Sequence, residues 1–283
     1  MSRVLLTGAG GLLGAAMVRE LSAGHELITP VRASLDISSE SSVARACDDV
    51  RPDIIINCAA FNDVDGAEDD ATCALAVNAF GVLALARAAG RSGATFVHYS
   101  TDFVFDGRSS VPYTEEDSPN PRGVYAASKL LGEWFALEHR RAYVLRVESL
   151  FGEPGPAGAR KGSLATIVER IRAGDPVPVF VDRTASPTYT TDIARATRQV
   201  LECEIPPGVY HCVNGGAATW AGIAVEAARL LDSELDIRPI TLETASLRAP
   251  RPTYCALSNQ KLKAAGITMP DWQDALQRYL GVV

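Results

Sequence analysis

The chain has 283 residues, 47% of them hydrophobic and 22% charged, with a net charge of −7. That size and composition fit a folded globular protein with a well-buried core and exclude a disordered chain. The acidic balance argues against nonspecific binding to nucleic acid or to anionic membranes, which draws on clustered positive charge, while leaving an anionic small ligand open.

In chain order, short β-branched runs alternate with longer helical patterns, the form that a parallel sheet with crossover helices takes in a sequence. Strands are predicted at Arg3–Thr7, Glu26–Val31, Asp53–Asn57, Thr95–Ser100 and Tyr143–Val147. Helices are predicted at Leu12–Ala23, ending before Gly24, at Ser38–Val50, opening on a capping serine, and at the alanine-rich Glu68–Arg91. Beyond about Gly152, Pro and Gly interrupt the pattern. Short strands at Pro178–Val181 and Gly208–His211 then alternate with helices near Thr191–Cys203 and Thr219–Leu231. This reads as a smaller second region, from which Gly208–His211 is a candidate to rejoin the main sheet.

Polar or charged residues interrupt every apolar run before it reaches the length of a bilayer, and MSRVLLTGAGG leads straight into a strand and a glycine turn. Neither a membrane span nor a signal peptide is expected. The six cysteines lack C-x-x-C spacing and the four histidines are scattered, so reduced thiols, a cytoplasmic location and no metal are expected.

Gly8, Gly11 and Gly14 form G-x-x-G-x-x-G between the first strand and the first helix, the context a dinucleotide fingerprint requires. Glycine permits the tight turn at Gly8, the approach of a pyrophosphate near Gly11 and close helix packing at Gly14. The helix start then offers its N–H groups to the anion. At the end of the second strand, where an acidic residue would bind a ribose 2′-hydroxyl, the chain reads Pro30-Val31-Arg32. Arg32 suits a 2′-phosphate, and it also fits a solvated surface charge. Asp36 is placed to meet the adenine amino group or to cap the following helix. Small residues at Ala59 and Ala60 leave room for a ribose or pack the strand end.

The fourth strand delivers Ser100, Thr101 and Asp102 to the carboxyl edge of the sheet, where open α/β sheets bind ligands. The next helix opens with Tyr125 and Lys129. Alone they are an ordinary i, i+4 pair; beside the strand-end hydroxyls they make a proton donor and an ammonium able to lower its pKa. Thr101 would hydrogen-bond a substrate carbonyl, Tyr125 would protonate it, and Lys129 would hold the cofactor ribose.

GAGGLLG, LDI, RPDIIINCAAFNDVDGAE, HYSTDFVFDG, VYAASKLLGE, SPTYTTDIA and RPTYCALSNQKL occur in matching order and spacing over almost the whole chain. On these the sequence resembles the extended short-chain dehydrogenase/reductases and, within them, the dTDP-4-dehydrorhamnose reductase family. The resemblance implies an α/β fold with a doubly wound parallel Rossmann sheet over 1–151 and a mainly substrate-binding region over 152–283. It implies NADPH, with NADH possible, and reduction of the 4-keto group of a dTDP-linked deoxysugar. It places Thr101, Tyr125 and Lys129 in catalysis. Gly11, Leu12, Leu13, Asp36, Ile37, Ala59, Ala60 and Asn62 fall along the cofactor, and Ser100, Thr101, Asp102, Ser149 and Arg251 near the substrate.

Two departures stand out. Arg146-Val147-Glu148-Ser149 replaces an arginine strand that ends in tryptophan, and Ala16 stands where some members carry a glutamate that bridges a dimer through a metal. Any homodimer is therefore expected to lack that bridge. Two other readings share the pattern: a nucleotide-sugar epimerase or dehydratase, and a noncatalytic NADP-binding regulatory subunit resembling that of methionine adenosyltransferase. Phe103, where dehydratases place an acid after Thr-Asp, favours simple reduction.

Overall fold

Residues 1–153, 155 and 162–282 are described by a computed structural model. The central sheet contains β1 (Arg3–Thr7), β2 (Glu26–Ile28), β3 (Ile54–Asn57), β4 (Thr95–Thr101), β5 (Ala142–Val147) and an outer strand, Gly208–His211. All pairings within it are parallel. The order across the sheet is Gly208–His211, β5, β4, β3, β1, β2, so successive strands are added to one side up to β2 and to the other from β3 onward, with the switch between β1 and β3. A crevice opens at that switch point, outside the carboxyl ends of the strands.

Both faces of the sheet are covered. On one, Met17 and Leu21 of the Leu12–Leu21 helix pack with Ile193 and Val200 of the Thr190–Glu202 helix against Val4, Leu6, Tyr143 and Leu145. On the other, Val43 and Cys47 of the Glu40–Val50 helix and Val82 and Leu85 of the Gly81–Ser92 helix cover Leu5, Ile55 and Phe96. β3, β4 and β5 are buried throughout, as parallel strands covered on both faces are, and β4 and β5 take polar residues such as His98 and Arg146 into the interior with them. A separate core, including Phe151, Leu164, Val177, Trp220 and Trp272, holds the second lobe together. That lobe carries three two-stranded pairings: Leu150–Phe151 with Thr188–Tyr189, Val177–Phe180 with Ile237–Ile240, and Thr184–Ala185 with Ala218–Thr219.

Three predicted elements differ. The second strand stops at Ile28 rather than Val31, because Pro30 has no N–H for the ladder and Val31 O already accepts from Ser34 and Leu35 in a turn. Ser39, rather than Ser38, caps the second helix, its hydroxyl accepting from Ser42 N at 3.3 Å. The single helix expected over Glu68–Arg91 is interrupted: Asp70 leaves helical geometry at φ −130 and caps Cys73 N at 2.9 Å. A π-turn over Ala76–Phe80 follows. The run Ala71–Ser92 is long and apolar enough, by length and composition, to cross a bilayer. Here Val82, Leu85 and Ala89 from that run are core residues against the sheet.

Candidate active site

The glycine turn is dictated by close approach. Gly8 has φ +72, and a Cβ there would stand 2.6 Å from Ala59 N; a Cβ at Gly14 would stand 2.1 Å from Gly8 O. Only glycine lets the loop fold over itself and sit against the end of β3. Gly11 precedes the Leu12–Leu21 helix, and no side chain caps that helix start. Its N–H groups, with the bare backbone beside them, fit an anionic pyrophosphate.

Two adjoining clefts run along the switch point. One, of about 410 Å³, is lined by Gly8, Arg32, Asp36, Ile37, Ala59 and Ala60 among others. The other, of about 350 Å³, is lined by Gly11, Leu12, Leu13, Gly14, Ala59, Ala60, Asn62, Ser100, Thr101, Asp102, Tyr125, Lys129, Glu148 and Ser149 among others. Ala59 and Ala60 line both, so the pair forms one trough from the β2 end to the end of β5. Arg251 lies apart from these linings. Its guanidinium pairs with Asp65 at 3.1 Å and stands 5.9 Å from the Phe103 ring.

At the β2 end, Arg32 is exposed and its Nε lies 3.7 Å from Asp36 Oδ2. Asp36 caps no helix. Its Oδ1 accepts from Ser38 N at 3.0 Å and Ser38 Oγ at 2.7 Å, and these bonds hold its carboxyl below the usual range.

At the other end, Tyr125 is 9% exposed and meets Phe103 edge-on, with ring centroids 5.8 Å apart. Burial is the main cause that raises the phenol pKa, Asp102 adds to it, and Thr101 and Arg251 oppose it. The Lys129 ammonium donates to Tyr99 O at 2.6 Å. Burial pulls Lys129 down to about 8 against the opposing pull of Glu133. Glu133 is itself held by two bonds to Arg146, at 2.9 and 2.7 Å.

Asn78, which the sequence reading passed over, braces the elements that carry the site. It sits in the π-turn, accepts from Phe61 N at 2.8 Å, and donates to Phe61 O and to Ser128 Oγ, each at 3.0 Å. Ser128 Oγ in turn donates to Tyr125 O at 2.8 Å. Asn78 thus ties the loop after β3 to the helix that carries Tyr125 and Lys129. Its signal was an asparagine inside an alanine-rich helix, and π-turns recur at functional sites. Glu68 contributes from the same side by accepting from Val124 N at 2.7 Å, at the opening of that helix.

Glu148 was also missed as a site residue. A carboxylate oxygen from each of Asp102 and Glu148 and the Cys255 sulfur lie within 4.8 Å of one another. Asp102 Oδ1 accepts from Thr101 at 2.9 Å and Glu148 accepts from Ser186 N at 2.6 Å. Ser149 follows with φ +45, a left-handed conformation that turns the chain away from β5. Ala16, the position of the bridging glutamate in some relatives, is 2% exposed within the core and presents no ligand.

A trough over a glycine turn at the switch point, with a phenol and an ammonium one helical turn apart at its far end, is the architecture of the extended short-chain dehydrogenase/reductases. Within that class, residues 2–283 match the family described as RmlD substrate binding domain, and the chain belongs to it. It is 34% identical to a dTDP-4-dehydrorhamnose reductase of Mycolicibacterium smegmatis, covering 99% of this chain and 86% of that one. It is 36% identical to a probable dTDP-4,6-dihydroxy-2-methyloxan-3-one 4-ketoreductase of Streptomyces antibioticus, covering 97% and 93%. The crystal structure of the Bacillus anthracis dTDP-4-dehydrorhamnose reductase in complex with NADP superposes with a TM-score of 0.92 at 30% identity, covering 100% and 99%.

Proposed function

We propose that the protein is an NADPH-dependent 4-ketoreductase acting on a dTDP-linked deoxysugar. The observation that carries this reading is the convergence of Thr101, Tyr125 and Lys129 on one cleft that continues into the glycine-turn trough. The residues present fit a dinucleotide: Gly8, Gly11 and Gly14 shape the pyrophosphate turn, and Leu12, Leu13, Ile37, Ala59, Ala60 and Asn62 line its path. When bound, NADPH would supply the hydride. Thr101 orients the sugar carbonyl, Tyr125 gives its oxygen a proton, and Lys129 contributes positive charge beside the ribose and the phenol. Burial keeps Tyr125 in its acid form until an acceptor arrives, which suits the reducing direction. Ser100, Asp102, Ser149 and Arg251 are proposed to surround the sugar, Arg251 from behind Phe103.

The test follows the NADPH absorbance band during incubation with dTDP-4-dehydrorhamnose, with product stereochemistry read by NMR. Consumption of one NADPH per sugar supports reduction. Epimer or elimination product without net NADPH loss assigns the epimerase or dehydratase chemistry, and cofactor binding without turnover assigns a regulatory role.

Arg32 carries a separate expectation. With no acidic side chain at Pro30-Val31-Arg32 to repel a 2′-phosphate, the enzyme should prefer NADPH, and Arg32→Ala should raise KM for NADPH by roughly twofold to tenfold while leaving that for NADH unchanged. The effect is modest because Arg32 is exposed and shares its charge with Asp36. Steady-state kinetics with both cofactors decide it; equal weakening of the two would return Arg32 to a solvated surface charge.

A further inference from the structure

Behind Tyr125 lies a pair of carboxyl groups with more acceptors than donors. Asp102 and Glu148 are 4% and 2% exposed. Asp102 Oδ2 and Glu148 Oε1 are both buried without a hydrogen-bond partner. The cationic side chain nearest them, Arg183, sends its bonds to Pro252 O at 3.2 Å and Cys255 Sγ at 3.5 Å, and to neither carboxylate. A carboxylate oxygen of each lies within 4.8 Å of the other, and for two acids so close and so buried one retained proton relieves the repulsion and supplies the donor that the stranded oxygens lack. Cys255 beside Asp102 is only a weak donor, and its thiol also reaches Pro252 O at 3.4 Å.

We propose that Glu148 is a positioning residue of the proton-donor site: it shares one proton with Asp102, and that hydrogen bond holds the Asp102 carboxyl against Thr101 with a single negative charge on the pair. This deepens the ketoreductase reading and rests on it for its consequence in turnover. The groups facing the pair are Thr101 from β4, Tyr125 from its helix, Arg183 and Ser186 from the segment before Thr188, and Tyr254 and Cys255 from the C-terminal region. Of these, Arg183 favours ionisation and burial opposes it; burial is the larger influence on both acids, which are raised above their ordinary range. Loss of the shared proton would place a second negative charge near Tyr125, which Asp102 already makes a weaker acid, and so slow proton donation to the carbonyl oxygen.

The first arm needs no substrate. Isotope-edited infrared spectra of the protein at neutral pH should show a protonated carboxyl band that both Glu148→Gln and Asp102→Asn remove. The second arm is kinetic. Glu148→Ala should lower kcat about tenfold or more with little change in KM, whereas Glu148→Gln, whose amide N–H replaces the shared proton, should recover most of that loss. Absence of the band, or a Gln variant as impaired as the Ala variant, overturns the proposal. So does loss of activity on chelation with recovery on adding a divalent ion, which would assign Asp102, Glu148 and Cys255 to a metal. If no sugar is reduced but the band is present, the ketoreductase reading fails while the shared proton stands.

Discussion

Tyr125→Phe is expected to lower kcat by about 10²–10⁴-fold, the usual worth of a positioned general acid, and to leave cofactor affinity and stability nearly unchanged. The separation follows from the surroundings of the ring. Tyr125 packs with Phe61, Val64, Ala67, Ala74 and Phe103, and phenylalanine keeps those contacts. Its position in the helix is fixed through the backbone, by Ser128 bonding to its carbonyl, so the variant loses the proton and little else. Single-turnover kinetics with calorimetric titration of NADPH would separate the two effects. Reduction at the parent rate would remove Tyr125 from the chemistry.

Lys129→Met should act on both turnover and binding. Removing one preorganised charge at a reacting centre commonly costs about 10²–10³ in kcat, and losing a charged hydrogen bond to a ribose about 1.5–3 kcal/mol in affinity. The pH dependence has a definite sign. Burial lowers Lys129 from 10.5 to about 8, so the charged form, and turnover with it, should fall as pH rises through about 8. For stability the direction is opposite: between about 8 and 10.5 the unfolded chain holds the proton that the folded chain has released, so this group makes unfolding harder as pH rises. Lys129→Met should abolish that rise in denaturant melts across the window. Unchanged NADPH affinity in the variant would contradict the ribose role.

Much of the trough was legible because its parts are local. Gly8, Gly11 and Gly14 announce themselves by spacing between strand and helix, and Tyr125 and Lys129 by one helical turn. The misses are features that no local pattern carries. Asn78 matters through Phe61 and Ser128, which are remote from it in sequence, and Glu148 through Asp102 and Ser186. The direction of the Lys129 ammonium is likewise beyond local pattern: spacing brings two residues to one face, while the ammonium is aimed by the carbonyl of Tyr99 on a neighbouring strand. The break at Asp70 arose because an acidic side chain satisfied Cys73 N better than a continuing helix could, a competition that alanine content does not reveal.

The outer strand and the Thr190–Glu202 helix both come from far beyond β5 in the sequence, and this sets an order on synthesis. When Val147 leaves the ribosome, one whole edge of the sheet has unpaired N–H and C=O groups, and Tyr143 and Leu145 face water where Ile193 and Val200 will later pack. The nascent chain carries that sticky border until His211 has emerged, so the central sheet is the first part to be made and among the last to be finished.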